Sequence, residues 1–304
     1  VTAASTFDEH LQILPISDAT LSRQEPGRRT DPLLPAPALA PPRPSSGSQS
    51  ASKSSNLKRR PSEGNRASSF SGDRFRAQLP AFAPLLEELE IAGWSASRSR
   101  AAANFHDWLL LGSDRLLVTV GHAADPESRD PTEPALVAQA SWSAIRAHAL
   151  HTRDAGTLLS LAGQSLWPMP AATAQAHLAV AMIDTLEGHA TLAIAGDCLA
   201  WKIRAATSEQ LAVGQPALGA VPDCTYMAHS VELSLRERLV LVADNPHQRP
   251  PKLAASIAAS FAHLDAETHR RMLAADAVTL LRRQYEQGAA GLRSSASIAA
   301  VRRR

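Results

Sequence analysis

The chain has 304 residues, 21 of them proline, with 44% hydrophobic residues, 4% aromatic residues and a formal net charge of +2. That is enough apolar material for a sizeable core filled mainly by alanine and leucine. The near-neutral charge excludes a wholesale nucleic-acid footprint, no apolar run reaches the roughly 18 residues of a helical membrane span, and two cysteines, Cys198 and Cys224, exclude a disulfide scaffold or a cysteine zinc cluster.

A reduced, cytoplasmic setting is expected, with a secreted protein holding one bridge as the alternative. Residues 1–22 do not read as a targeting signal, because Lys and Arg are absent before Arg23 and no sustained apolar run follows. The start at Val1 leaves open an alternative start codon, a processed end or a truncated gene model. Residues 1–72 hold 9 of the prolines, 14 serines and no tryptophan, a composition that buries too little apolar surface to offset the entropy of ordering it. A disordered tail is expected there. Lys58-Arg59-Arg60 reads as solvated linker, with an anionic docking site as the sharper alternative. Leu11, Ile13, Leu14 and Ile16 could form a docking segment, though Pro15 opposes a helix.

Residues 73–92 are expected to form an entry helix: Leu79, Phe82, Leu85, Leu86, Leu89 and Ile91 lie near helical spacing, with Pro80 and Pro84 pushing its start to about residue 84. Asp107–Leu111 and Arg115–Val120, joined by Gly112-Ser113-Asp114, read as a hairpin. Helices are expected over Glu133–Leu150 and Ala155–Trp167, then strands at Ala176–Ile183, Ala190–Ala195, Leu199–Arg204, Met227–Leu233 and Arg238–Val242. Two helices, near 250–263 and 266–287, precede a last strand at Ser297–Val301. Helices grouped between runs of antiparallel strands predict an α+β fold: two mainly antiparallel sheets in a sandwich flanked by helices. Neither GxGxxG nor GxxxxGK[ST] is present, which speaks against a doubly wound nucleotide-binding fold.

Several stretches recur in a telling order: Ala102-Ala103-Asn104-Phe105-His106-Asp107-Trp108, then Leu116–Val120 leading into Gly121-His122-Ala123-Ala124-Asp125, then Ala195-Gly196-Asp197, Ala217–Asp223, Arg236–Asn245 and Ser294–Ile298. Over residues 93–304 this order resembles the metal-dependent serine/threonine phosphatases (PPM type, protein phosphatase 2C-like), in their bacterial sporulation and sigma-factor-regulator branch. The resemblance implies a fold in which motif carboxylates hold two divalent cations that activate a water against a phosphoserine or phosphothreonine. Position by position, Asn104 and His122 stand where two of those acids are expected, and Ser294 or Ser295 stands where another falls near the C-terminus. Asp244 is retained among the main ligands, and Asp107 occupies a further acid position of the pattern.

Mg²⁺ and Mn²⁺ favour carboxylate oxygens, and a pair of divalent ions needs several such charges to offset its own repulsion. The resemblance therefore implies a degenerate phosphatase domain that binds a phosphoprotein or its regulator with weak or no catalysis, without confident catalytic residues or cofactor. A small anti-sigma antagonist is the partner class it suggests. One alternative is an active, divergent phosphatase using Mn²⁺ or Mg²⁺, with Asp244, Asp107 and His122 as its metal candidates. Another is a scaffold that recruits partners through residues 1–72. His106, Asp107, His122, Asp125 and Glu127 could also hold a single Zn²⁺ or Mn²⁺, to be weighed against ordinary solvated loop charges.

Overall fold

The hairpin signal at Gly112-Ser113-Asp114 marks a tight turn, with Gly112 at φ 73°. In the computed structural model it joins β2 (Ala102–Leu111) to β3 (Arg115–Ala124). The structure describes residues 82–96, 102–124, 132–167, 175–205, 207–211, 214–244, 253–287 and 296–304. The tail expected over 1–72 lies outside the described residues, as do Asp125, Glu127, Ser294 and Ser295.

Two antiparallel sheets form the centre. Sheet A has the order β1 (Leu89–Ala96), β10 (Ala296–Arg303), β9 (Arg238–Asp244), β6 (Leu199–Arg204), β7 (Thr207–Gln210). Sheet B has the order β2, β3, β4 (Gln175–Asp184), β5 (His189–Ala195), β8 (His229–Glu232). Helices α1 (Thr132–Ala149) and α2 (Ala155–Leu166) cover sheet B; α3 (Leu253–Ala262) and α5 (Ala274–Gln287) pack with sheet A, and the short α4 (Ala266–Arg271) lies between them in sequence. No helix among the described residues is long and apolar enough to cross a membrane.

Alternation along each strand sorts the side chains into three apolar layers. Leu116, Val118, Val120, Ala179, Ala181, Ile183, Leu239 and Leu241 fill the space between the sheets. Phe105, Leu117, Leu178 and Val180 face α1 and α2. Val240, Val242 and Ile298 face α3 and α5. The expected sandwich flanked by helices is thus the observed one.

Three local expectations need correction. The entry helix is not formed in its described part: residues 82–88 are irregular and Leu89–Ala96 is strand β1. Leu89 and Ile91 fit a period of two as well as a helical one, and eight cross-strand partners from Leu89↔Arg303 to Ala96↔Ala296 decide for the strand. The helix expected over 266–287 is broken at Met272 and Leu273. There the buried Arg238 side chain donates to the carbonyls of His269 and Met272, the last-turn groups that α4 leaves unpaired. The short β7 was not expected, since Thr207–Gln210 is polar and mostly exposed.

Candidate functional site

The end of the sandwich away from the β2–β3 turn gathers the stretches that carry the resemblance. Asn104 on β2 and His122 on β3 are direct cross-strand partners, and His122 is in turn the partner of His177 on β4. Their parity with Trp108, Val120 and Ala179 turns all three side chains into the space between the sheets. Opposite them, Ala96, Ala296 and Asp244 form one row across β1, β10 and β9.

Hydrogen bonds stitch this end together. Asn104 Nδ2 donates to the carbonyl of Ala96 at 2.6 Å, and Asn104 Oδ1 is bonded to His122 Nδ1. An amide oxygen only accepts, so His122 carries its proton on Nδ1. His106 Nδ1 lies 2.8 Å from Ser95 Oγ, Ser95 donates to Ser297 Oγ at 2.8 Å, and Ser297 donates to the Gly121 carbonyl at 3.3 Å. The carbonyl at the far end can only accept. The relay therefore runs one way, with His106 Nδ1–H as its first donor. It passes from β2 to β1 and β10 and back to β3, tying sheet to sheet.

Burial lowers the His106 pKa to about 4. Its folded pKa lies below the ordinary 6.5, so the neutral ring supports folding above pH 6.5 and that support is lost as pH falls toward 4. Denaturant midpoints measured from pH 7 to pH 4 are expected to fall across that window in the wild type and to fall less in His106→Gln.

The Ala195-Gly196-Asp197 turn completes the end. Gly196 sits at φ 73°, its N–H donates to the Gln215 carbonyl at 2.7 Å, and the Asp197 N–H donates to His177 Nδ1 at 3.0 Å. A Cβ on Gly196 would land on the His177 ring. Gly196→Ala combines that overlap with a left-handed backbone and is expected to cost on the order of 2 kcal/mol, readable by urea unfolding. The exposed Asp197 contributes its backbone here, as a turn acid closing the strand pair.

Asp244 shares the row but not the face. Its parity with Val240 and Val242 turns it toward the helices, where it is 1% exposed and its Oδ2 accepts from the Tyr285 hydroxyl on α5 at 2.8 Å. Asp107 also leaves the inter-sheet space, lying with Phe105 on the α1 side. Its carboxylate takes Arg146 Nη1 at 2.7 and 2.9 Å and Trp142 Nε1 at 2.8 Å. Arg146 also stands over the Trp142 ring, 5.1 Å from its centroid. Burial pushes the Asp107 carboxyl above its ordinary value, while Arg146 and Trp142 pull against that shift.

The structure therefore brings Asn104 and His122 together, sets Asp244 behind sheet A, and commits Asp107 to holding α1. Ser95, His177, Ser297 and Tyr285 were missed in the sequence. Only the alternation that puts His106 on the Asn104 face hinted at the relay. Among the described residues, His148 and His269 lie elsewhere: His148 Nε2 is 2.8 Å from Ser165 Oγ on the helix surface, and His269 Nε2 donates to the Phe261 carbonyl at 2.6 Å. Cys198 is buried and Cys224 half-buried, both as free thiols.

This donor set does not fit a pair of divalent cations. Such ions need several converging carboxylate oxygens, yet the inter-sheet position holds the Asn104 amide bonded to the His122 imidazole, with His177 beside them, and Asp244 and Asp107 point to opposite outer layers. Among the described residues no group of three or more His, Cys, Asp or Glu is placed to hold a metal ion.

No protein-family model and no curated sequence matches the chain. Solved structures do. The PP2C domain of SiaA from Pseudomonas aeruginosa superposes with TM-score 0.57 at 18% identity, covering 78% of this chain and 95% of that one. The PP2C phosphatase domain of SpoIIE from Bacillus subtilis, with a fragment of its regulatory domain, gives TM-score 0.56 at 12% identity over 70% of this chain. The RsbU and RsbW domains of a Mycobacterium tuberculosis protein give 0.55 at 20% identity over 73% of this chain. The match spans only 62% and 61% of the last two chains' own lengths. At these identities the likeness speaks for architecture, two antiparallel five-stranded sheets flanked by helices: the chain has the PPM-type, protein phosphatase 2C-like fold.

Proposed function

We propose that this chain is a phosphatase-fold regulator that binds a phosphoprotein, or that protein's regulator, and does not hydrolyse phosphate esters at an appreciable rate. One observation carries the reading. The inter-sheet position that two cations would occupy in a working member of the fold is bridged by Asn104, His122 and the His106–Ser95–Ser297 relay. Asp244 and Asp107, the candidate acids among the described residues, are bonded to Tyr285 and Arg146 on other layers. A buried carboxylate already paired with a cation is costly to withdraw, because the partner is left uncompensated. A small anti-sigma antagonist is the partner class proposed, by family analogy.

The test is phosphopeptide hydrolysis by the full chain across Mn²⁺, Mg²⁺ and Zn²⁺, with calorimetric titration of each ion alone. The expected result is turnover no faster than the ion gives without protein, and no saturable heat. Metal-dependent turnover that disappears in Asp244→Ala would overturn the reading and establish a divergent metal-dependent phosphatase instead.

A further inference from the structure

At the hairpin end of sheet B, remote from the Asn104–His122 row, lies a pocket of about 260 Å³. The β2–β3 turn, the β4–β5 turn, β8 and the loop before α2 surround it. It opens on the helix side of the sheet: Met182, in its wall, belongs to the core under α1 and α2, and Thr191 Oγ1 accepts the first N–H of α2, from Ala155, at 3.0 Å. Its volume is just below the roughly 300–1,000 Å³ of pockets that take drug-sized ligands, which suits a small metabolite.

The wall chemistry is bipolar. Arg115, Arg153 and His189 supply donors. Arg115 Nη1 donates to the Thr152 carbonyl at 3.1 Å, which holds the guanidinium in place. Its Nε is buried and meets no acceptor among the described residues. The described residues place neither Arg115 nor Arg153 in an ion pair. With Nε closed off from the pocket, the remaining guanidinium N–H groups of Arg115, together with those of Arg153, are the carboxylate partners, since Arg binds carboxylates through paired N–H groups. The same wall carries two carboxylates, Asp114 and Asp184. Asp184 is itself held, its Oδ1 accepting from the N–H groups of Leu186 and Glu187 at 2.9 and 2.8 Å.

We propose that this pocket binds a free α-amino acid, with its carboxylate on Arg115 and Arg153, its ammonium group on Asp114 and Asp184, and its side chain along Met182. Phosphate is a poor match, because a near-dianion would sit against two carboxylates. A simple carboxylate such as acetate would leave the acidic side of the wall unmatched. The site is separate from the proposed partner-binding end, so its occupancy would let a small metabolite reach a regulator of this fold.

The experiment is calorimetric titration of the full chain with glycine, glutamate, leucine and lysine, and with inorganic phosphate and acetate. Saturable binding of at least one amino acid is expected, tighter than phosphate or acetate, and weakened about tenfold or more in both Arg153→Gln and Asp184→Asn. Arg153 is exposed and Asp184→Asn keeps the Oδ1 acceptor of its turn, so both variants are expected to fold. Three results would each overturn the proposal: no amino acid binds, binding is unchanged in both variants, or phosphate binds more tightly than every amino acid.

Discussion

Changing Asn104 and His122 together to aspartate is expected to destabilise the metal-free chain by about 3 kcal/mol or more and to make its thermal midpoint rise with Mn²⁺. The two positions are direct cross-strand partners and both are buried, at 4% and 1% exposure. Opposed side chains on neighbouring strands lie about 5 Å apart. Two carboxylates at that separation repel by about 3 kcal/mol at an effective dielectric near 20. The bonds from Asn104 to Ala96 and to His122 are lost as well, each worth about 1 kcal/mol. A hard divalent cation relieves the repulsion and supplies what two acids bond best. The control is Asn104→Ala with His122→Ala, which loses the bonds without the repulsion and is expected to ignore Mn²⁺. Melting in EDTA and in Mn²⁺ checks both. An aspartate pair as stable in EDTA as the wild type would mean that the buried acids shed their repulsion by taking up a proton, and would overturn the prediction. Turnover is not expected to follow, because Asp244 stays bonded to Tyr285 on the far side of sheet A.

Arg238→Leu is expected to cost about 2–5 kcal/mol, because two buried carbonyls lose their donor. Arg238 is 0% exposed, and its guanidinium closes the end of α4 by donating to the carbonyls of His269 and Met272. Burial, then the neighbouring Arg302, hold its pKa down to about 10, so it remains a cation at neutral pH. Leucine fills part of the volume but leaves two buried carbonyls without donors, each costing about 1–3 kcal/mol. Urea midpoints check the loss. Amide exchange adds a signature, since protection is expected to fall first in α4 and the start of α5. A variant within about 1 kcal/mol of wild type would show that solvent replaces the guanidinium freely.

Elements set by near neighbours were legible in the sequence, and contacts between distant segments were not. The β2–β3 hairpin follows from two apolar runs around Gly112, and α2 was expected over Ala155–Trp167, where the structure adds its cap: the Asp154 side chain accepts from Thr157 N–H at 2.7 Å. β1 was misread because Leu89 and Ile91 serve either period until β10, some two hundred residues later, supplies the pairing. The break between α4 and α5 has no glycine or proline to announce it, and its cause is a side chain from β9. The same divide runs through the site. The resemblance singled out Asn104 and His122 from residue order alone, and the structure makes them direct cross-strand partners. That Asp107 belongs to Arg146 and Asp244 to Tyr285 depends on helices folding over the outer faces, across 39 and 41 positions of sequence.

The pairing of β1 with β10 also sets how the domain would yield to force. Leu89 faces Arg303, and the Arg304 N–H donates to the Glu88 carbonyl at 2.9 Å, so the two ends of the sandwich chain emerge side by side. Tension applied through those ends loads the strand pair perpendicular to its length, and its hydrogen bonds break one after another, as in a zipper. The Ser95–Ser297 bond lies at the other end of the same strand pair and is reached late. A pull from residues 89 and 303 should therefore peel β1 away at low force while the inter-sheet core is still intact. Joining those neighbouring ends with a short linker, and opening the chain at the β2–β3 turn, should give a permuted domain in which that path no longer exists.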